Sequence, residues 1–235
     1  MILPKRPHPW AVSISEARET QTRLAGLVSL EPDPAPAEIH LLAGVDNGYV
    51  KHDAGFVAYA AVVVFTFPEL EPVESVIGSA PVTFPYVPGF LTFREGPAIL
   101  DALAKLETVP DLLLFDGQGY AHPRRVGLAT HMGVVLDHPS IGCAKSRLVG
   151  KYVEPAEEFG AVSLMTDRGE IVGAALRTKP GHEPLFVSPG HRTDVDHAVA
   201  VTLACCHGGS HLPVPTHAAH DAVTKHTAPL RRKKR

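Results

Sequence analysis

Three apolar strand candidates follow one another with almost no chain between them: IHLLAGVDNGYV, AGFVAYAAVVVFTF and PVESVIGSAPV. All three are rich in β-branched and aromatic residues and are separated by Gly, Asp and Pro signals. Connections this short join antiparallel neighbours, so the segment predicts a meander. In PYVPGFLTFREGPAILDALAKL the period changes. Ile99, Leu100, Leu103 and Leu106 fit one helical face, on which Pro97 is tolerated near the first turn. Strands and helices then alternate: DLLLFDG, VGLATHMGVVL, SIGCAKS, EIVGAALRT, LFVSPG and TDVDHAVAVTLACC, the last with Thr193 or Asp194 as N-cap. A meander followed by alternation predicts an α/β fold, one mixed sheet flanked by helices, in a single domain spanning residues 1–235.

The flanks are simpler. SISEARETQTRLAGLV reads as a first helix, with Ser13 and Glu16 in a capping-box pattern and Ala17, Leu24, Leu27 and Val28 on one face. The prolines of EPDPAPAE break it. A short helix opens at PTHAAHDAV, with Pro215 before it and Thr216 as cap, and residues 226–235, ending in RRKKR, form a disordered basic tail.

Composition excludes several functions. Twenty-two Lys and Arg against 25 Asp and Glu leave a net charge of −3, so charge alone does not hold this chain on nucleic acid; any such contact needs a local stripe. Cys143, Cys205 and Cys206 make no disulfide framework, and CCHGGSH lacks the C-x2-C spacing of structural zinc sites. The cysteine usage is that of a cytoplasmic chain, expected to be a monomer, and the longest apolar stretch, Phe56 to Phe67, is well short of the roughly 20 residues that span a bilayer, so no membrane role is indicated.

Two carboxylates occupy costly positions. Asp46 follows LLAGV and Asp116 follows LLLF, each at the end of a buried run where an ionised group needs pairing, hydrogen bonds or a cation. A lone Asp after a strand is most often a turn former. If the two strands are neighbours, however, the carboxylates converge, and converging oxygens suit Mg²⁺. Glu95 sits at a helix start, where it also complements the helix dipole. In PYVP, Pro85 and Pro88 fix the backbone around Tyr86 and Val87; the ring is either a stacking group for bases or a tyrosine packed at the core edge. GQGYAHP lacks the dinucleotide fingerprint, and its His122, with Arg124 and Arg125, lies in reach of whatever Asp116 holds. Lys145, Arg147 and Lys151 make a second basic cluster.

GVDNGY, PYVPGFLTFREGP, PDLLLFDGQGYAHPRRVGLATHMGVVLDHPSIGCAKSRL, VSPGHRTDVDHAVAVTL and LPVPTHAAH together resemble endonuclease V, the deoxyinosine-directed repair nucleases. The resemblance covers most of the chain from Gly44 to His220. It implies an RNase H-like domain in which Asp46, Glu95, Asp116 and His220 bind Mg²⁺, with Mn²⁺ able to substitute. It places Lys145 and His122 near the scissile phosphate. It makes Pro85, Tyr86, Val87 and Pro88 a wedge that separates DNA strands, and Gly89, Leu91, Gly127, Leu128 and Ala144 a pocket for the flipped base. The implied reaction is hydrolysis of the second phosphodiester 3′ to deoxyinosine in damaged DNA, leaving a 3′-hydroxyl and a 5′-phosphate. Inosine-containing RNA or branched DNA as substrate, or a binding module without catalysis, are the alternatives. Asn47 and Gly48 depart from the small apolar or hydroxyl residues usual in the family at those positions.

Overall fold

The apolar runs pair as their order requires. The computed structural model describes residues 2–53, 55–206 and 210–232. Among these residues one sheet contains eight strands: β1 (Leu41–His52), β2 (Gly55–Thr66), β3 (Pro72–Pro81), β4 (Leu112–Phe115), β5 (Ser140–Ala144), β6 (Val162–Asp167), β7 (Glu170–Leu176) and β8 (Leu185–His191). Their order is β3-β2-β1-β4-β5-β8-β7-β6. The meander is antiparallel, β1, β4 and β5 are parallel, and β8, β7 and β6 return antiparallel. The helices are α1 (Ile14–Ala25), α2 (Thr92–Lys105), α3 (Leu128–Leu136), α4 (Val195–Ala204) and α5 (Val214–Arg232).

Burial on both faces explains the uninterrupted apolar run in β4. Leu113 and Phe115 meet Ile99, Leu103 and Met132 of α2 and α3 on one side. Leu112 and Leu114 join Val201 of α4 and Ala219 and Val223 of α5 on the other. Val45 of β1 lies beside Phe115, and the Asp116 N–H donates to the Val45 carbonyl at 3.0 Å. The register thus sets Asp46, midway along β1, beside Asp116, just past the end of β4.

On the second face α5 comes down on β1 backbone to backbone. A Cβ on Gly44 would lie 2.0 Å from the Pro215 carbonyl oxygen, so only glycine fits there. This contact brings His220 over β1.

Several expectations change. α5 is not short: it runs through the stretch expected to be a disordered tail as far as Arg232, with residues 233–235 outside the described residues. Packing explains the extension, since Val223 is buried, His226 meets the Tyr59 ring at 5.3 Å and Arg231 donates to the Tyr49 carbonyl. Pro215 lies inside the first turn of α5, where a missing N–H costs nothing, and the Thr216 hydroxyl donates to the Pro213 carbonyl instead of capping the helix. Pro97 falls in the second turn of α2, so the Phe93 carbonyl loses its helical partner; burial of Ala98, Ile99, Ala102 and Leu103 keeps the helix. On α1 the capping box forms, but the buried face is Ala17, Gln21 and Leu24, because Leu27 lies beyond the helix end at Gly26. Asp194 caps α4, accepting from the His197 N–H at 2.7 Å. No helix among the described residues is long and apolar enough to cross a membrane.

Gly44→Ala is expected to destabilise the protein by about 1–3 kcal/mol through overpacking, whereas Gly26→Ala, where the nearest atom lies 3.6 Å away, is expected to be near neutral. Thermal unfolding of the two variants side by side checks this; equal melting temperatures would show that α5 does not rest on Gly44.

Candidate metal centre and adjoining cavity

Adjacent parallel strands and one helix build the centre. Ligand atoms of Asp46, Asp116 and His220 all lie within 4.8 Å of one another. His220 Nδ1 and Asp46 Oδ2 are 2.8 Å apart, and Asp46 Oδ1 accepts from the Asn47 N–H at 2.7 Å. Lys145, just past β5, ion-pairs with Asp116.

The electrostatics match this crowding. Burial raises the Asp46 carboxyl above the usual range and the Asp116 charge adds to the rise, against the Asn47 and His220 hydrogen bonds. Burial pulls Lys145 down, but its bond to Asp116 and the charges of Asp116 and Asp46 leave it raised. Two carboxylates and an imidazole form a hard oxygen and nitrogen donor set suited to Mg²⁺ or Mn²⁺. Both side-chain amide atoms of Asn47, the next residue on β1, are buried without a hydrogen-bond partner on the opposite face of the strand, toward α2.

Glu95 lies outside the three-residue group. It is buried near the start of α2 and accepts from the Tyr49 hydroxyl at 2.8 Å. Burial is the main force that pushes its carboxyl up to about 8; the Tyr49 bond opposes this, and the charges of Asp46 and Asp116 reinforce it. Glu95 therefore shares the field of the centre, with its own oxygen committed to Tyr49. His122 lies on the wall of the cavity that adjoins the centre. Nε2 faces the Gly89 carbonyl at 2.9 Å and Nδ1 accepts from the Arg124 N–H at 3.2 Å, so both ring nitrogens are engaged by backbone. Burial lowers its pKa to about 4, leaving a neutral ring at pH 7.

Beside the centre opens a cavity of about 410 Å³. Asp116 and Lys145 line it on the side of the centre, and Gly89, Leu91, Gly127, Leu128 and Ala144 line the rest with Tyr86, Val87 and Pro88. The Tyr86 ring is 74% exposed, which decides against the core-edge reading. Arg94 lies between aromatic groups, 5.2 Å from the Tyr49 ring and 5.9 Å from that of Tyr86. Arg147 of the second basic cluster also lines the cavity, as do Gln118, Val126, Ser146 and Leu148, which were not singled out from the sequence. Arg147 and the strand β6 were both legible: one in the Lys145–Lys151 basic run, the other in the alternation of VSLMTD before the turn residues of DRG. Cys205 and Cys206 are buried, and His207 lies outside the described residues.

An eight-stranded mixed sheet flanked by helices, with acids side by side on neighbouring parallel strands, is an RNase H-like α/β fold. The family model described as Endonuclease V matches residues 22–221. An Endonuclease V from Roseiflexus sp. (strain RS-1) is 48% identical over 93% of this chain and 95% of its own length. Crystal structures of the Bacillus subtilis and Streptomyces avermitilis Endonuclease V superpose with TM-scores of 0.91 and 0.87, at 33% and 40% identity, each covering 96% of this chain and 97% of the other. The chain belongs to the Endonuclease V family and is a nuclease, a phosphodiester hydrolase.

The raised Glu95 carboxyl sets a sign. An acid whose folded pKa is raised from 4.5 to about 8 is protonated on folding at pH 7, so its contribution to stability is lost as pH rises through that interval. Glu95→Gln should therefore stabilise the metal-free protein at pH 7 by roughly 1–3 kcal/mol, with the gain vanishing near pH 4. Denaturant titrations at the two pH values check it; an unchanged or lowered stability at pH 7 would contradict the burial argument.

Proposed function

We propose that this chain is a divalent-metal-dependent endonuclease that recognises deoxyinosine in DNA and hydrolyses the second phosphodiester on its 3′ side, leaving a 3′-hydroxyl and a 5′-phosphate. The observation that carries the reading is the convergence of Asp46, Asp116 and His220 beside a cavity that an exposed tyrosine overlooks. A family member from Ciona intestinalis, 24% identical, has been solved with DNA containing an inosine followed by a ribo-adenosine. That structure concerns its own protein and a shared fold; inosine as the substrate of this chain is our inference.

Asp46, Asp116 and His220 would hold Mg²⁺ or Mn²⁺, with the Glu95 carboxyl on α2 as the further acid beside them. A cation there supplies Lewis-acid stabilisation of charge on the phosphate and lowers the pKa of a water that attacks it. The chain's own groups do the rest. Lys145 Nζ, anchored on Asp116, keeps N–H donors for a non-bridging phosphate oxygen. The Asp46–His220 contact orients the carboxylate, and His220 is in turn held by α5 on β1. Tyr86, presented by Pro85, Val87 and Pro88, occupies the gap left in the stack when a base rotates out. The cavity formed by Gly89, Leu91, Gly127, Leu128 and Ala144 takes that base, so the cutting centre and the base pocket share a wall at Asp116 and Lys145.

A binding module without catalysis gains nothing from clustered acids beside a phosphate, which favours the enzyme. The test uses matched DNA with and without deoxyinosine, and the same sequence as inosine-containing RNA, with Mg²⁺ or EDTA. Cleavage of the inosine DNA in Mg²⁺ alone is expected. Asp116→Ala should lower kcat by at least about 100-fold, and His220→Ala by about 10–100-fold. Cleavage in EDTA, or full activity of Asp116→Ala, would sink the metal mechanism; preference for the RNA would overturn the substrate.

A further inference from the structure

A buried glutamine joins the wedge loop to another wall segment of the cavity. Gln21, in the middle of α1, is 1% exposed. Its Nε2 donates to the Gly89 carbonyl at 3.0 Å and to the Val126 carbonyl at 3.1 Å, and its Oε1 accepts from Arg124 Nε at 2.6 Å. Both amide hydrogens and the amide oxygen are thereby used. Gly89 ends the PYVPG loop and lines the cavity, and Val126 precedes the lining residues Gly127 and Leu128.

Gly89 is a joint that only glycine makes without strain. Its φ of +80° is one that side-chain-bearing residues rarely adopt. Its carbonyl receives Arg124 Nη2 at 2.8 Å and faces His122 Nε2 at 2.9 Å in addition to Gln21. The Arg124 guanidinium in turn lies 4.2 Å from the Phe90 ring centre. Three groups from two chain segments thus meet on one peptide oxygen, and Gln21 alone also reaches the Val126 carbonyl. A pocket that discriminates between bases needs its walls held within roughly 0.5 Å, and a bond network of fixed length does that.

We propose that Gln21 is a positioning residue that fixes the separation of the 86–92 and 122–128 segments and so sets how strictly the cavity discriminates the base it accepts. The second half of this statement rests on the reading of the cavity as the lesion-base pocket. Gln21→Met keeps the length of the side chain and removes all its hydrogen bonds, and Gln21→Glu removes the two donations while keeping an acceptor for Arg124. Ser13→Ala weakens the same helix at its capping box without removing a hydrogen bond to either segment.

Three readouts decide. Amide hydrogen exchange in residues 86–92 and 126–128 should accelerate by about tenfold in Gln21→Met and Gln21→Glu, the effect of losing one to two hydrogen bonds, and stay unchanged in Ser13→Ala. The ratio of affinities for inosine-containing over undamaged DNA should fall by about tenfold in both Gln21 variants. Their kcat at saturating DNA and the Mg²⁺ concentration for half-maximal activity should stay within about threefold of the parent, because Gln21 touches none of the acids. A Gln21→Met protein with lowered melting temperature but unchanged exchange and unchanged discrimination would overturn the positioning role. A parent protein that binds inosine and undamaged DNA equally would overturn the reading of the cavity instead, together with the discrimination half of the proposal.

Discussion

The site depends on a place where two backbones touch. At Gly44 no Cβ can be accommodated against the Pro215 carbonyl, so α5 lies directly on β1. From that contact His220 reaches Asp46 at 2.8 Å, and β1 in turn sets Asp46 beside Asp116 through its parallel pairing with β4. One close approach and one strand register thus place groups that stand 174 residues apart in the chain within hydrogen-bonding distance.

The acids collected there oppose folding. Asp46 and Glu95 both carry raised carboxyl pKa values because they are buried near like charges, and Lys145 and His220 offset only part of this. The rest of the fold is arranged to tolerate the cost. β4 is apolar on both faces, α2 holds Glu95 against Tyr49, and the N-terminal segment backs α2, with the Trp10 ring filling the space beside Gly96. A centre that strains the empty protein is one that a cation relieves, since binding and folding then act through the same groups.

Much of this was legible in the sequence, for physical reasons that differ by element. The meander and the parallel strands showed in apolar runs, and Asp46 and Asp116 stood out because a charge at the end of such a run is costly. Glu95 and His220 became visible only through the family resemblance, since a glutamate at a helix start and a histidine in a polar helix are ordinary. β6 was missed although its alternation was present. The length of α5 was missed because the packing that extends it, with Tyr49 and Tyr59 of the meander, is tertiary. Gln21 gave no signal at all: a polar residue on a surface-like helix face becomes informative only once it is buried against the carbonyls of Gly89 and Val126. The backbone partners of the His122 ring nitrogens, the Gly89 carbonyl and the Arg124 N–H, come from the tertiary packing and left no mark in the sequence.

On this reading Asp46, Asp116 and His220 form one cation site between the neighbouring strands β1 and β4 and the helix α5. Anomalous diffraction from crystals soaked in Mn²⁺ tests it most directly. The account predicts a peak bonded to at least one carboxylate oxygen of each aspartate, with the His220 ring turned from Asp46 toward the ion or hydrogen-bonded to a ligand of it. A peak elsewhere, or none at a Mn²⁺ concentration that supports full activity, would contradict it.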